Sequence, residues 1–175
     1  CADLALYCAK MEGRRRIKFF DAALKGRLDY ERAIDRDLGA AIQEGSLEVH
    51  FQPQMDMVQD RATGFEALVR WWHPEIGAIS PPDIVKAAAK LQLSEALTGF
   101  VADRACRMVR ALDQAGHPGI TVSINMSPAE FDAYDPARLL SGVTTRHDLD
   151  PARIEVEITE DAILDPKKVE RALAA

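Results

Sequence analysis

The chain has 175 residues, 47% of them apolar, and its 22 Lys and Arg against 28 Asp and Glu leave a net charge of −6. That suffices for one ordinary domain with a core, but the acidic balance argues against a nucleic-acid surface, so an anionic ligand must be held by local cations or metals. No apolar run approaches the ~20 residues needed to cross a bilayer and no basic-then-apolar signal opens the chain, which makes the cytoplasm the expected location. The three cysteines, Cys1, Cys8 and Cys106, show no CxxC spacing and read as reduced structural thiols.

In chain order, Ala2 to Lys10 predicts a helix that Gly13 ends, and Ile17 to Phe20 a short strand. From Asp21 to Glu44 there is no proline, and Ile34, Leu38, Ala41 and Ile42 form one apolar stripe on a charged helix. Leu47 to Gln54 reads as a strand with Pro53 marking its end. The turn-rich Gln59 to Gly64 links it to a second strand as an antiparallel hairpin.

That second strand is the run Gly64 to Trp72. Alternation puts Phe65, Ala67, Val69 and Trp71 on one side and Glu66, Leu68, Arg70 and Trp72 on the other. A carboxylate and a guanidinium therefore share a face, about 13 Å apart at strand rise. Taken alone, the run is equally a half-buried strand with charges on its solvent side. Ser80 then caps, and Pro81 and Pro82 open, a helix over Asp83 to Leu91. A second helix, Ser94 to Ala115, carries Leu97, Val101, Ala105, Met108 and Leu112 before Gly116 and Pro118 stop it. Strand (Ile120 to Asn125), helix (Asp135 to Gly142), strand (Arg153 to Ile158) and helix (Lys167 to Ala175) follow. The alternation predicts an α/β fold with a parallel sheet.

Three oxygen-bearing side chains recur on these strands: Glu66, Asn125 at a strand end, and Glu157 one residue from another. Carboxylate and amide oxygens suit hard divalent cations such as Mg²⁺ or Mn²⁺. Singly, an Asn at a strand end is a turn residue, and Glu155 and Glu157 are the wet side of an amphipathic strand. His73 reads as a turn residue, and the side to which His50 turns is open from the sequence.

Taken together, Phe51-Gln52-Pro53, Glu66-Ala67-Leu68-Val69-Arg70-Trp71, His73-Pro74, Ser80-Pro81, Asn125-Met126-Ser127 and Glu157-Ile158-Thr159-Glu160 resemble the EAL domain family of bacterial cyclic di-GMP phosphodiesterases. The resemblance implies a TIM-like (β/α) barrel with an antiparallel first strand, whose working residues project from the C-terminal ends of strands. It further implies that Glu66, Asn125 and Glu157 ligate Mg²⁺ or Mn²⁺, that Gln52, Leu68 and Arg70 contact cyclic di-GMP, and that Glu160 braces a loop beside the site.

The opening segment resembles the last helix and strand of a GGDEF domain, where Lys10 and Arg14 match positions near nucleotide phosphate; without the rest of that domain they read as solvated residues at a helix end. The expected layout is a GGDEF tail over 1–20, a linker helix over 21–46 and the N-terminal half of an EAL domain over 47–175. The linker reads equally as a signal-transmitting or dimerising helix and as a spacer. A homodimer is expected of the full-length protein.

A (β/α) barrel ordinarily takes ~250 residues. The family's Asp-Asp-Phe-Gly element, its general base and its later Lys, Glu and Gln are accordingly expected after Ala175, and the isolated chain is expected to be inactive. Lys86, Ala88, Ala89 and Gln92 stand where the family places a proline, an Ala-Glu pair and a glycine. That departure keeps open an alternative: a degenerate EAL domain that binds cyclic di-GMP or a protein without cleavage.

Overall fold

The structure, a computed structural model, describes residues 22–158. The expectations placed on Cys1 to Phe20, including Lys10 and Arg14, and on Glu160 and the final helix lie outside the described residues. The chain divides into two compact units, Cys1–Asp37 and Leu38–Ala175. Helix α1 (Ala22–Glu44) begins in the first unit, where Arg32 and Asp29 form an exposed i,i+3 pair at 3.9 Å. All four residues of the expected stripe, Ile34, Leu38, Ala41 and Ile42, are buried.

The second unit continues with strands β1 (Glu48–Asp56), β2 (Arg61–His73) and β3 (Gly77–Ile79), then helices α2 (Pro81–Lys90) and α3 (Ser94–Gln114). Strand β4 (Thr121–Met126), helices α4 (Pro128–Ala133) and α5 (Pro136–Arg146), a 3₁₀ turn at Pro151–Arg153 and strand β5 (Ile154–Ile158) complete it. The sheet order is β1-β2-β4-β5. Strand β1 runs antiparallel to β2, whereas β2, β4 and β5 are mutually parallel, so the expected antiparallel start and α/β alternation are both present.

Alternation decides which face goes inward. Ala67 of β2 and Val122 and Ile124 of β4 are buried against Val101, Ala102, Ala105, Cys106 and Val109 of α3 and Val143 of α5, with Phe51, Phe65 and Val69 partly buried around them. Fully burying the valine and isoleucine side chains of this set contributes roughly 1.5–3 kcal/mol each, and each alanine methyl less. Burial raises the Cys106 thiol to about 11, so it is protonated and inert at neutral pH.

Three local readings change. Strand β1 runs through Pro53 to Asp56 with an irregularity between Gln54 and Met55; as an edge strand it has a neighbour on one side only and accommodates proline. Helix α5 passes Gly142 and ends at Arg146. Strand β3 and helix α4 are too short, at three and six residues, to leave a periodic signal.

Three helices end in the same reciprocal hydrogen-bond pattern. After α3, His117 N–H donates to Leu112 and Gly116 N–H to Asp113; after α5, Leu149 donates to Thr144 and Asp148 to Thr145; after α2, Leu93 donates to Ala88 and Gln92 to Ala89. The pattern needs a left-handed residue, supplied by Gly116 (φ 85°), Asp148 (φ 52°) and Gln92 (φ 58°). A side chain in that region costs roughly 1–2 kcal/mol. Gln92→Gly is therefore expected to raise the midpoint of the domain's urea unfolding by about 1 kcal/mol of stability, and Gly116→Gln to lower it by a similar amount.

A polar clamp joins α3 to the end of α5. Asp103 accepts hydrogen bonds from His147 Nε2 (2.7 Å) and Arg107 Nε (2.8 Å), while Arg110 Nη1 donates to the His147 carbonyl (2.8 Å). Burial opposes the Asp103 charge, but the His147 and Arg107 hydrogen bonds outweigh it and hold the carboxyl below its ordinary value of 3.8. A depressed folded-state pKa gives stability that is present above the unfolded value and is lost as pH falls through the folded one. Asp103→Asn is therefore expected to destabilise by about 1 kcal/mol at pH 7. In unfolding curves taken at successive pH values, the deficit should fade below about 3.8.

Candidate functional site

The face of the sheet opposite the core is polar. Register places Gln52 beside Glu66 and Gln54 beside Gly64 across β1 and β2, and Glu66 beside Ser123 across β2 and β4. Across β4 and β5, Ser123 lies beside Glu155 and Asn125 beside Glu157. Paired residues share a face, so Gln52, Glu66, Asn125 and Glu157 all project to one side. Asn125 and Glu157 stand one residue before the ends of their strands.

Two hydrogen bonds tie this row together. Asn125 Nδ2 donates to Glu66 Oε1 at 2.5 Å, which turns the Asn125 carbonyl oxygen away from that carboxylate as a further acceptor. Gln54 Nε2 donates to Glu157 Oε1 at 3.0 Å. Glu66 and Glu157 are half-buried and Asn125 and Gln52 exposed, so the donor oxygens sit at the edge of solvent rather than in a sealed core. Among the described residues no three His, Cys, Asp or Glu side chains cluster as a metal-holding group; the set here is two carboxylates and an amide. Those all-oxygen donors fit a hard divalent cation, which accepts amide as well as carboxylate oxygen.

Leu68 and Arg70 continue along the same face of β2, opposite His50 and Glu48. Both are half-buried. Arg70 Nη1 donates to the Val69 carbonyl at 2.9 Å, leaving the other N–H groups of its fork for an anion. His50 turns to this face, where its Nε2 meets Glu48 Oε2 at 2.9 Å; both side chains are exposed. His73 is fully buried, stacks edge-on against Trp71 with ring centroids 5.3 Å apart, and accepts the Glu75 N–H at its Nδ1 (3.1 Å), as expected of a residue that fixes a turn.

The loop beyond Asn125 is held from beneath. Glu130 of α4 accepts the Ser127 N–H (2.8 Å) and hydroxyl (3.0 Å) on one oxygen and the hydroxyls of Thr98 and Tyr134 (both 2.8 Å) on the other. Burial and the neighbouring carboxylate push the Tyr134 phenol well above its ordinary value, so it remains a donor. The Ser127-x-x-Glu130 spacing was the readable signal for this brace, which the motif words had hidden. Gln54 was readable in the same way: two residues past Gln52 in one strand, it must share that residue's face.

A cavity of about 120 Å³ lies between Leu68, Asn125, Thr98, Glu130 and Val85. That is below the roughly 300–1,000 Å³ of sites that enclose drug-sized ligands. With Glu48, Glu66, Glu155 and Glu157 on it, the polar face repels a phosphate unless cations intervene.

The model of the EAL domain family matches residues 35–175. The bifunctional diguanylate cyclase/cyclic di-GMP phosphodiesterase MucR of Pseudomonas aeruginosa is 30% identical over 149 residues, covering 85% of this chain and 22% of MucR. The cyclic di-GMP phosphodiesterase NbdA of the same organism is 35% identical over 124 residues, covering 71% of this chain and 16% of NbdA. The chain thus spans less than a quarter of the length of these relatives. The solved structure of the MucR phosphodiesterase in complex with c-di-GMP superimposes with a TM-score of 0.69 at 29% identity, over 81% of this chain and 59% of that one. Matched by the family model over most of its length and sharing its fold with the MucR phosphodiesterase, the chain belongs to the EAL domain family.

Proposed function

We propose that this chain forms part of a metal-dependent phosphodiesterase that hydrolyses cyclic di-GMP to the linear dinucleotide. The supporting observation is the row Glu66, Asn125 and Glu157 on neighbouring parallel strands, with Arg70 further along the same face. Glu66, Asn125 and Glu157 would hold Mg²⁺ or Mn²⁺. When bound, such a cation supplies positive charge to the phosphoryl oxygens and lowers the pKa of an attacking water.

The chain's own residues supply the remaining contacts on this half of the site. Arg70 presents a planar, permanently charged donor fork that fits two phosphate oxygens at once. Leu68, one step nearer the ligand row, offers apolar contact to a guanine, and Gln52 on the neighbouring strand offers an amide that both donates and accepts. Asn125, by donating to Glu66, holds that carboxylate in one orientation and keeps its own oxygen turned toward the open face. Glu160 would brace the adjoining loop. The same reading takes 1–20 as the tail of a GGDEF domain, 21–46 as a linker helix and 47–175 as the N-terminal half of the EAL domain, in a cytoplasmic signalling protein whose full-length form is a homodimer.

The second reading, a binding module without cleavage, draws on the α2 end, where Gln92 takes a left-handed position at which the family is expected to carry glycine. It keeps the substrate but drops the chemistry, and the two separate in one assay. The full-length protein is incubated with cyclic di-GMP and Mn²⁺ or Mg²⁺, and the linear dinucleotide is quantified by chromatography. Hydrolysis that stops on chelation is the expected result; binding without turnover would replace the enzyme reading with the other.

Within the active protein, Glu66→Gln and Glu157→Gln are each expected to lower kcat about a hundredfold or more, the worth of several kcal/mol of charge stabilisation. Arg70→Ala is expected to weaken cyclic di-GMP binding by about tenfold to a hundredfold, the worth of charged hydrogen bonds. Wild-type turnover by either glutamine variant would remove these residues from the site.

A further inference from the structure

Gln54 is assigned nothing by the family words, yet its side chain bonds across the polar face to a strand that is not its neighbour. Strands β1 and β5 are separated by β2 and β4. A flat sheet would set them about 14 Å apart, three strand spacings. The Gln54 amide nitrogen nonetheless lies 3.0 Å from Glu157 Oε1 and 3.4 Å from Ser123 Oγ. The bond exists because the sheet curls, bringing its two edges toward each other over the polar face.

Gly64 makes the room. It is buried directly opposite Gln54, and a Cβ there would fall 2.8 Å from Gln54 Oε1, 3.1 Å from Thr121 Oγ1 and 3.3 Å from the Thr121 carbonyl. Gly64 is not among the glycines with positive φ, so it serves space rather than backbone conformation. A larger residue would lift the Gln54 side chain off the sheet and away from Glu157.

We propose that Gln54 is a positioning residue for Glu157, and that Gly64 is the clearance that lets it act. The inference rests on the reading of Glu157 as a metal ligand. An amide suits this role because it donates to one carboxylate oxygen, leaves the other for the cation, and adds no charge to compete for it. Ser123, buried on the strand between, completes the track along which the amide lies.

The test is Mn²⁺ binding by the full-length protein without substrate, followed by calorimetry, with the fold checked by circular dichroism. Gln54→Met keeps the volume and removes the donor; it is expected to weaken Mn²⁺ about tenfold or more, as loss of a hydrogen bond to a ligating side chain does. Gly64→Ala, which touches no ligand, is expected to weaken it in the same direction. The double variant is expected to be no weaker than Gln54→Met alone, because both remove one interaction.

Unchanged Mn²⁺ affinity in Gln54→Met, with Glu157→Gln clearly weakened, would overturn the positioning role and leave the metal reading standing. If Glu157→Gln also binds Mn²⁺ like the wild type, the metal reading itself fails and takes this inference with it. Additive losses in the double variant would sink the link between Gly64 and Gln54.

Discussion

The parallel pairing of β2 with β4, Glu66 beside Ser123 and Ala67 beside Ile124, is the constraint on which the rest of the site depends. Side chains alternate with a period of two, so a slip of one residue would carry Glu66 to the core and Ala67 to the open face. The register is held by what that slip would bury. Ala67, Val122 and Ile124 pack against α3 with essentially no exposed surface, and a carboxylate in their place would be charged without a partner. Hydrophobic packing on one side of the sheet thereby places polar groups on the other.

The polar side is then refined by short-range contacts. Asn125 and Gln54 each direct an amide donor to one of the two half-buried carboxylates. Glu130 fastens the chain just beyond Asn125 through four hydrogen bonds from Ser127, Thr98 and Tyr134. A buried carboxylate satisfied in this way is stable, whereas removing a partner would leave it unpaired at a cost of roughly 1–3 kcal/mol. The clamp of Asp103, Arg107 and His147, with Arg153 bonded to Asp113 at 2.9 Å, secures α3 on the far side of the same core.

Charge explains the character of the face. Acidic side chains cluster on it in a chain that is already net negative, and Arg70 is the cation that the motif places among them. Such a surface rejects phosphate esters unless divalent cations are interposed, and its all-oxygen donors are of the type that hard cations prefer. The small cavity beside Leu68 and Asn125, about 120 Å³, is below the size of sites that enclose drug-sized ligands.

Much of this was legible in the sequence. Alternation in Gly64 to Trp72 assigned the two faces of β2, the apolar stripe of α3 located the core, and the motif words pointed to the family and to Glu66, Asn125 and Glu157. Sequence periodicity reports which residues share a face within one element, because that is a property of local backbone geometry. It says nothing about which residue of one strand lies beside which residue of another. Only the tertiary structure could decide that Gln54 crosses two strands to reach Glu157, that Gly64 is small to let it pass, and that Pro53 lies inside an edge strand instead of ending it. Those facts depend on register and on the curl of the sheet, which arise from the packing of all the elements at once.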